Sequence, residues 1–178
     1  MNILLGITGS IAAYKGADIT NKLTKAGYNV DVILTQGGSK FITPLTLQTL
    51  SKNKVYMDMF EEITPTEVKH IALAKKADLM LIAPATGNII GKLAGGIADD
   101  FLSTVAMATF NQAPIFIAPA MNTNMYENPV VKENMEKLED LGYHFIYPKS
   151  DMLACGDLGK GALADVEEIC KVVTESLK

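Results

Sequence analysis

Short aliphatic and β-branched runs alternate with amphipathic stretches along the whole 178-residue chain, and this alternation limits the fold more than any other feature. Residues 2–7, 28–34, 78–83, 114–118 and 144–147 read as strands. Residues 11–26, 39–50 (interrupted early by Pro44), 66–76, 99–110, 128–141 and 166–177 read as helices, with Gly27 and Gly142 placed where two of them should stop. Apolar strands joined through helices belong to a parallel sheet buried on both faces. The expected fold class is therefore α/β: one domain over residues 1–178, with a Rossmann-like, flavodoxin-type parallel sheet and helices on both faces.

Composition supports a protein with much apolar surface to cover. Hydrophobic residues make up 48% of the chain, so a doubly covered sheet or subunit contacts must absorb them. The net charge of −4 and the lack of a dense basic run exclude nucleic acid as an expected partner. Apolar runs such as 79–83 and 115–118 fall far short of the ~18 residues of a membrane span. The chain starts directly with a strand rather than a basic segment and cleavage site, so a cytoplasmic location is expected. Two cysteines give no disulfide framework, and no metal site is expected.

In such sheets ligands sit at the C-terminal ends of the strands. The unusual residues of this chain fall there: Thr8-Gly9-Ser10, 35–39, 84–88, 119–122 and the loop around Cys155. In Gly6-Ile7-Thr8-Gly9-Ser10-Ile11, Gly9 allows close backbone approach, and Ser10 can cap a helix while donating to an anion. An ordinary capped turn is the plain alternative. The motif is neither G-x-G-x-x-G nor a P-loop, and strand two ends Ile33-Leu34-Thr35-Gln36 without the acid that would hold a ribose. One phosphate held by Ser10 and Ser39 fits FMN better than NAD or ATP.

Small residues in Pro84-Ala85-Thr86-Gly87-Asn88 leave room for a flat ring, with Thr86 and Asn88 as hydrogen-bonding groups; a helix-capping turn explains the segment equally. The Asn122 amide in Pro119-Ala120-Met121-Asn122 suits a carboxylate or amide ligand. Met121 and Met125 can both be core fillers, the reading preferred for Met125. His70 and His144 are each compatible with a structural role. Cys170, beside Val166, Ile169 and Val173, reads as a buried structural thiol. Cys155 differs: in Leu153-Ala154-Cys155-Gly156-Asp157-Leu158-Gly159-Lys160-Gly161 the glycines suggest a backbone that flexes and closes over a ligand.

Taken together these segments resemble the homo-oligomeric flavin-containing cysteine decarboxylases, across essentially the whole chain. The resemblance rests on Gly6-Ile7-Thr8-Gly9-Ser10-Ile11-Ala12-Ala13-Tyr14-Lys15, His70, 84–88 with Gly96-Ile97-Ala98-Asp99, Pro119-Ala120-Met121-Asn122 and Leu153-Ala154-Cys155-Gly156. It implies FMN bound in a homotrimer, which in some members builds a dodecamer. His70 and Cys155 would be catalytic, Cys155 as proton donor in a final reduction. Asn122, Met121, Ala154, Gly156 and Lys160 would contact substrate. Gly9, Ser10, Ile11, Thr35, Ser39, Phe41, Thr86 and Asn88 would hold the cofactor.

The implied reaction decarboxylates 4'-phosphopantothenoylcysteine to 4'-phosphopantetheine in coenzyme A biosynthesis, through a thioaldehyde and an enethiol, with the preceding ligase on a separate polypeptide. Two departures stand out. Gly161 is followed by Ala162-Leu163 where many members carry a basic residue, leaving Lys160 as the nearby cation, and the ring loop reads Pro-Ala-Thr-Gly-Asn instead of Pro-Ala-Ser-Ala-Asn. Peptidyl-cysteine decarboxylases, flavin prenyltransferases and non-catalytic regulatory flavoproteins that bind a phosphatase are the alternatives.

Overall fold

The computed structural model describes residues 1–60, 68–152 and 158–178, with the side chains of 149–152 and 158 left aside. In chain order the elements are β1 (Asn2–Ile7), α1 (Ala13–Lys25), β2 (Asn29–Leu34), α2 (Pro44–Ser51), β3 (Val55–Tyr56), α3 (Lys69–Lys76), β4 (Leu79–Ala85), α4 (Gly87–Gly95) and α5 (Phe101–Thr109). They continue with β5 (Ile115–Pro119), α6 (Thr123–Tyr126), α7 (Pro129–Asp140), β6 (His144–Phe145), β7 (Lys149–Met152), β8 (Leu158–Ala162) and α8 (Val166–Ser176). Six strands form one sheet in the order β3-β2-β1-β4-β5-β6, with every pair parallel. Without the two-residue β3 the order is that of the flavodoxin type, and β3 extends it to the Rossmann order.

The apolar strands feed two cores at once. Side chains alternate across a strand with period two. Ile3, Leu5 and Ile7 of β1 and Leu79, Leu81 and Ala83 of β4 enter one core, with Ile19 and Leu23 of α1 and Ile169 and Val173 of α8. Leu4 and the β4 residues Met80 and Ile82 enter the other, with Ile89 and Ile90 of α4, Leu102 and Val105 of α5 and Leu138 of α7. Each fully buried aliphatic side chain contributes about 1.5–3 kcal/mol, so the central strands carry much of the stability.

The strand starts are tied by polar groups instead. Asp78 Oδ2 accepts from Asn2 N–H at 2.7 Å, Asn29 Nδ2 donates to Asn2 Oδ1 at 3.1 Å, and Asn53 Nδ2 donates to Asn29 Oδ1 at 2.8 Å. Next to this belt Asp31, buried within β2, pairs with Lys76 Nζ at 2.6 Å.

Several elements differ from the sequence expectation. The helix expected over 39–50 is split into a 3-10 turn (Gly38–Lys40) and α2, which starts at Pro44 with Thr43 Oγ1 accepting from Thr46 N–H. Proline suits the first turn of a helix, so it begins α2 rather than interrupting one. Helix α4 hides behind Gly87, Gly91 and Gly95, and holds through its buried Ile89, Ile90 and Ala94. A β7–β8 hairpin brackets residues 153–157, where the sequence suggested only a loop.

Candidate active site

Strand β1 leads to β2 on one side of the sheet, while β4 pairs with its other side, so the strand order reverses between β1 and β4. A cleft of about 660 Å³ opens at this reversal, above the C-terminal ends of β1, β2 and β4. Gly9 and Gly37 belong to its lining and touch backbone to backbone: a Cβ on Gly9 would lie 3.0 Å from the Gly37 backbone. The polar lining includes Thr35, Gln36, Thr86 and Asn88, while Leu34, Met59, Ile89 and Leu102 supply apolar walls. A rim of hydroxyls and amides over an apolar wall fits a planar ring with a phosphorylated tail.

Of the residues singled out in the sequence, Gly9, Thr35, Thr86 and Asn88 come together in this cleft. Thr86 also caps α4, its hydroxyl accepting from Ile89 N–H, and Asn88 is exposed at the second position of that helix. Ser10, Ile11, Ser39 and Phe41 flank the cleft without lining it. The Ser10 hydroxyl does not cap α1, whose cap position is Ala12; it accepts from Ala12 N–H at 3.2 Å in the turn before the helix. Ser39 donates to Gln36 O at 2.8 Å, which folds the loop after β2. Ile11 and Phe41 are exposed, at 57% and 48%.

His70 lies at the second position of α3, half-buried and outside the cleft lining. Asn122 caps α6, with Oδ1 accepting from Asn124 N–H at 2.9 Å. Its neighbour Met121 packs against the core, whereas Met125 is 52% exposed and lines the cleft, reversing the preference for Met125 as a core filler. His144 stacks on Phe116 with ring centroids 4.8 Å apart. Cys170 is half-buried against the first core, and burial pushes its thiol up to about 11.

Cys155, Ala154 and Gly156 lie outside the described residues. The strand that follows them, β8, is anchored. Met121 N–H donates to Gly161 O at 2.9 Å, and a Cβ on Gly159 or Gly161 would run into Thr123 or the Met121 carbonyl. These two glycines are contact residues that let β8 press against the Asn122 segment. Lys160, between them, is exposed, and strand alternation turns it to the opposite face of β8.

The cleft also gathers charges that sequence reasoning missed. Lys92 Nζ lies 2.6 Å from both Asp99 Oδ1 and Asp100 Oδ2. Burial opposes ionisation of Asp100, but hydrogen bonds from Lys92 and Ser103 N–H outweigh it and hold this carboxyl below its usual range. The available signal was Asp100 three residues before Ser103, where the two form a capping box at the start of α5. Met57, Met59 and Phe60 gave no signal, because the strand that delivers them is only two residues long. Among the described residues no group of three or more His, Cys, Asp or Glu side chains could hold a metal ion, and no helix is long and apolar enough to cross a membrane.

Fold and cleft define a mononucleotide-binding α/β protein of the Rossmann class. The chain belongs to the Flavoprotein family, whose family model matches residues 1–178. It is 53% identical to a probable phosphopantothenoylcysteine decarboxylase of Streptococcus mutans, covering 98% of both chains. It is 50% identical to the coenzyme A biosynthesis bifunctional protein CoaBC of Bacillus subtilis, covering 96% of this chain and 42% of that one, so it spans less than half of this longer relative. Among solved structures, a PPC decarboxylase cysteine-to-serine variant complexed with pantothenoylaminoethenethiol superposes with a TM-score of 0.90 at 32% identity, covering 99% of this chain and 97% of that one. The FMN-dependent cysteine decarboxylase SpaF gives a TM-score of 0.85 at 26% identity, covering 100% and 98%.

Proposed function

We propose that this chain is an FMN-dependent carboxy-lyase that converts 4'-phosphopantothenoylcysteine to 4'-phosphopantetheine in coenzyme A biosynthesis. The observation that carries this reading is its near end-to-end correspondence, at 53% identity, with a relative bearing that activity in its name. The cleft at the strand reversal is the place for the cofactor. Gly9 and the turn at Ser10–Ile11 would receive its phosphate with Ser39, and Thr35, Phe41, Thr86 and Asn88 would border the tail and ring. Bound FMN supplies a reversible two-electron acceptor, which lets a carboxyl group without an adjacent electron sink depart.

The chain's own residues prepare the substrate. The His70 imidazole moves a proton at the substrate's cysteine end. Asn122, fixed by its α6 cap, presents an amide donor to the carboxylate and orients it before it leaves, with Met121 packed behind. Cys155 Sγ–H supplies the last proton, with Ala154 and Gly156 bordering the substrate and β8 held beside Asn122 through Gly159 and Gly161.

His70 and Asn122 lie outside the cleft lining of one chain, and exposed Ile11, Tyr14, Phe41 and Leu45 lie along the α1 and α2 starts beside it. Both features favour assembly of several copies, as a homotrimer extendable to a dodecamer.

Mass analysis of the product formed from 4'-phosphopantothenoylcysteine, without added reductant, tests the reading. Saturated 4'-phosphopantetheine is expected from the wild type, an unsaturated enethiol from Cys155→Ser, and no product from His70→Asn. An unsaturated product from the wild type would assign the chain to oxidative peptide-type decarboxylation. A yellow, folded but inert protein would overturn the decarboxylase reading.

A further inference from the structure

We propose that Thr8 is a positioning residue whose single hydroxyl fixes the spacing of the two loops that hold the flavin, by tying the ends of β1 and β4 across the mouth of the cleft. The inference rests on the reading of this cleft as the FMN site. The strand pairing between β1 and β4 runs from Ile3↔Leu79 to Gly6↔Ile82, past which only one long main-chain bond, Thr8 N–H to Pro84 O, joins them. Beyond Ile82, β4 passes through a register shift against β5 before Ala85 pairs with Pro119. The two central strands thus lose their regular pairing at the point where ligand-bearing loops leave them.

Thr8 takes over at that point. It is 3% exposed and lines the cleft. Its hydroxyl donates to Pro84 O at 2.7 Å and accepts from Thr86 N–H at 3.1 Å, and its own N–H donates to Pro84 O at 3.3 Å. A hydroxyl has one proton and two lone pairs, so both of its roles are used at once. Thr86 is the cap residue of α4, and Gly9, next to Thr8, opens the turn into α1. Beside one long main-chain bond, a single oxygen atom therefore holds the segment facing the cofactor's tail to the segment facing its ring with two bonds. Misplacement of a binding loop by about 1 Å is enough to cost a large factor in function.

Thr8→Val keeps the branched shape and loses both hydroxyl bonds; Thr8→Ser keeps the hydroxyl. FMN release on dilution of the holoprotein, read by recovery of flavin fluorescence, is expected to show affinity weakened about tenfold in Thr8→Val and within about twofold of wild type in Thr8→Ser. The visible flavin band should shift in the valine variant alone. Wild-type retention of FMN by Thr8→Val, or equal weakening in both variants, would overturn the proposal. Hydrogen exchange at the Thr86 amide of the wild-type holoprotein tests the same bond should Thr8→Val not fold: strong protection is expected, and exchange at the rate of an open loop would overturn it. A wild type that holds no FMN would overturn the functional reading itself, a result distinct from wild-type binding with an indifferent valine variant.

Discussion

Gly161 sits at a φ of +133°, with the Met121 carbonyl where a side chain would have to go. A Gly161→Ala variant must therefore both adopt a glycine-only conformation and push β8 away from the Asn122 segment. It is expected to lose about 3 kcal/mol of stability, measured by urea unfolding, and to lose decarboxylation because the hairpin root lifts. Cys170 poses a different residue-scale question. Burial raises its thiol from 9.0 to about 11, with Lys22 pulling down and Asp18 and Glu167 pushing up. A value raised on folding means that this contribution to stability is complete below pH 9.0 and disappears as pH rises towards about 11. Cys170→Val, which cannot titrate, should show a flatter stability profile than wild type between those values in chemical denaturation.

At the scale of elements, α4 and α5 are joined through Lys92 and its two aspartates at the edge of the cleft. The Asp100 carboxyl is held below its ordinary 3.8, so its stabilising effect is present above that value and is lost as pH falls through the depressed one. Asp100→Asn preserves the cap geometry but not the charge. It should cost about 1 kcal/mol at neutral pH and flatten the acid limb of the stability profile, followed by circular dichroism. This junction also marks the limit of what sequence patterning reveals. The apolar runs of β1, β2, β4 and β5 announced themselves because each buries both faces, and β1 falls on residues 2–7 as expected, whereas the strand expected over 144–147 shrinks to the less buried β6. Helix α4 did not, because glycines at every fourth position erase a helical signal that only packing restores. Gly9, Thr35, Thr86 and Asn88 were legible as cleft residues since they follow strands. Lys92 was not, since its pairing with Asp99, which stood in the Gly96-Ile97-Ala98-Asp99 motif, and with Asp100 joins a helix to the turn after it and leaves no local pattern.

Across the whole molecule, ligand chemistry and mechanical support occupy opposite ends of the sheet. The cleft lies at the strand ends, whereas the Asp78–Asn2–Asn29–Asn53 belt and the Asp31–Lys76 pair lie at the strand starts. Asn53→Ala removes the bonds from Nδ2 to Asn29 Oδ1 and Val30 O. It should lower unfolding free energy by about 1–2 kcal/mol while leaving FMN release unchanged. Asp31→Ala, which empties a buried strand position and removes the partner of the half-exposed Lys76, should cost about 1–2 kcal/mol with equally little effect on the flavin. The sheet itself ends on a two-residue strand at each side, β3 and β6. Fringes this short offer few open main-chain groups to an incoming strand, so the six-stranded sheet resists fibrous growth by strand addition at its own edges.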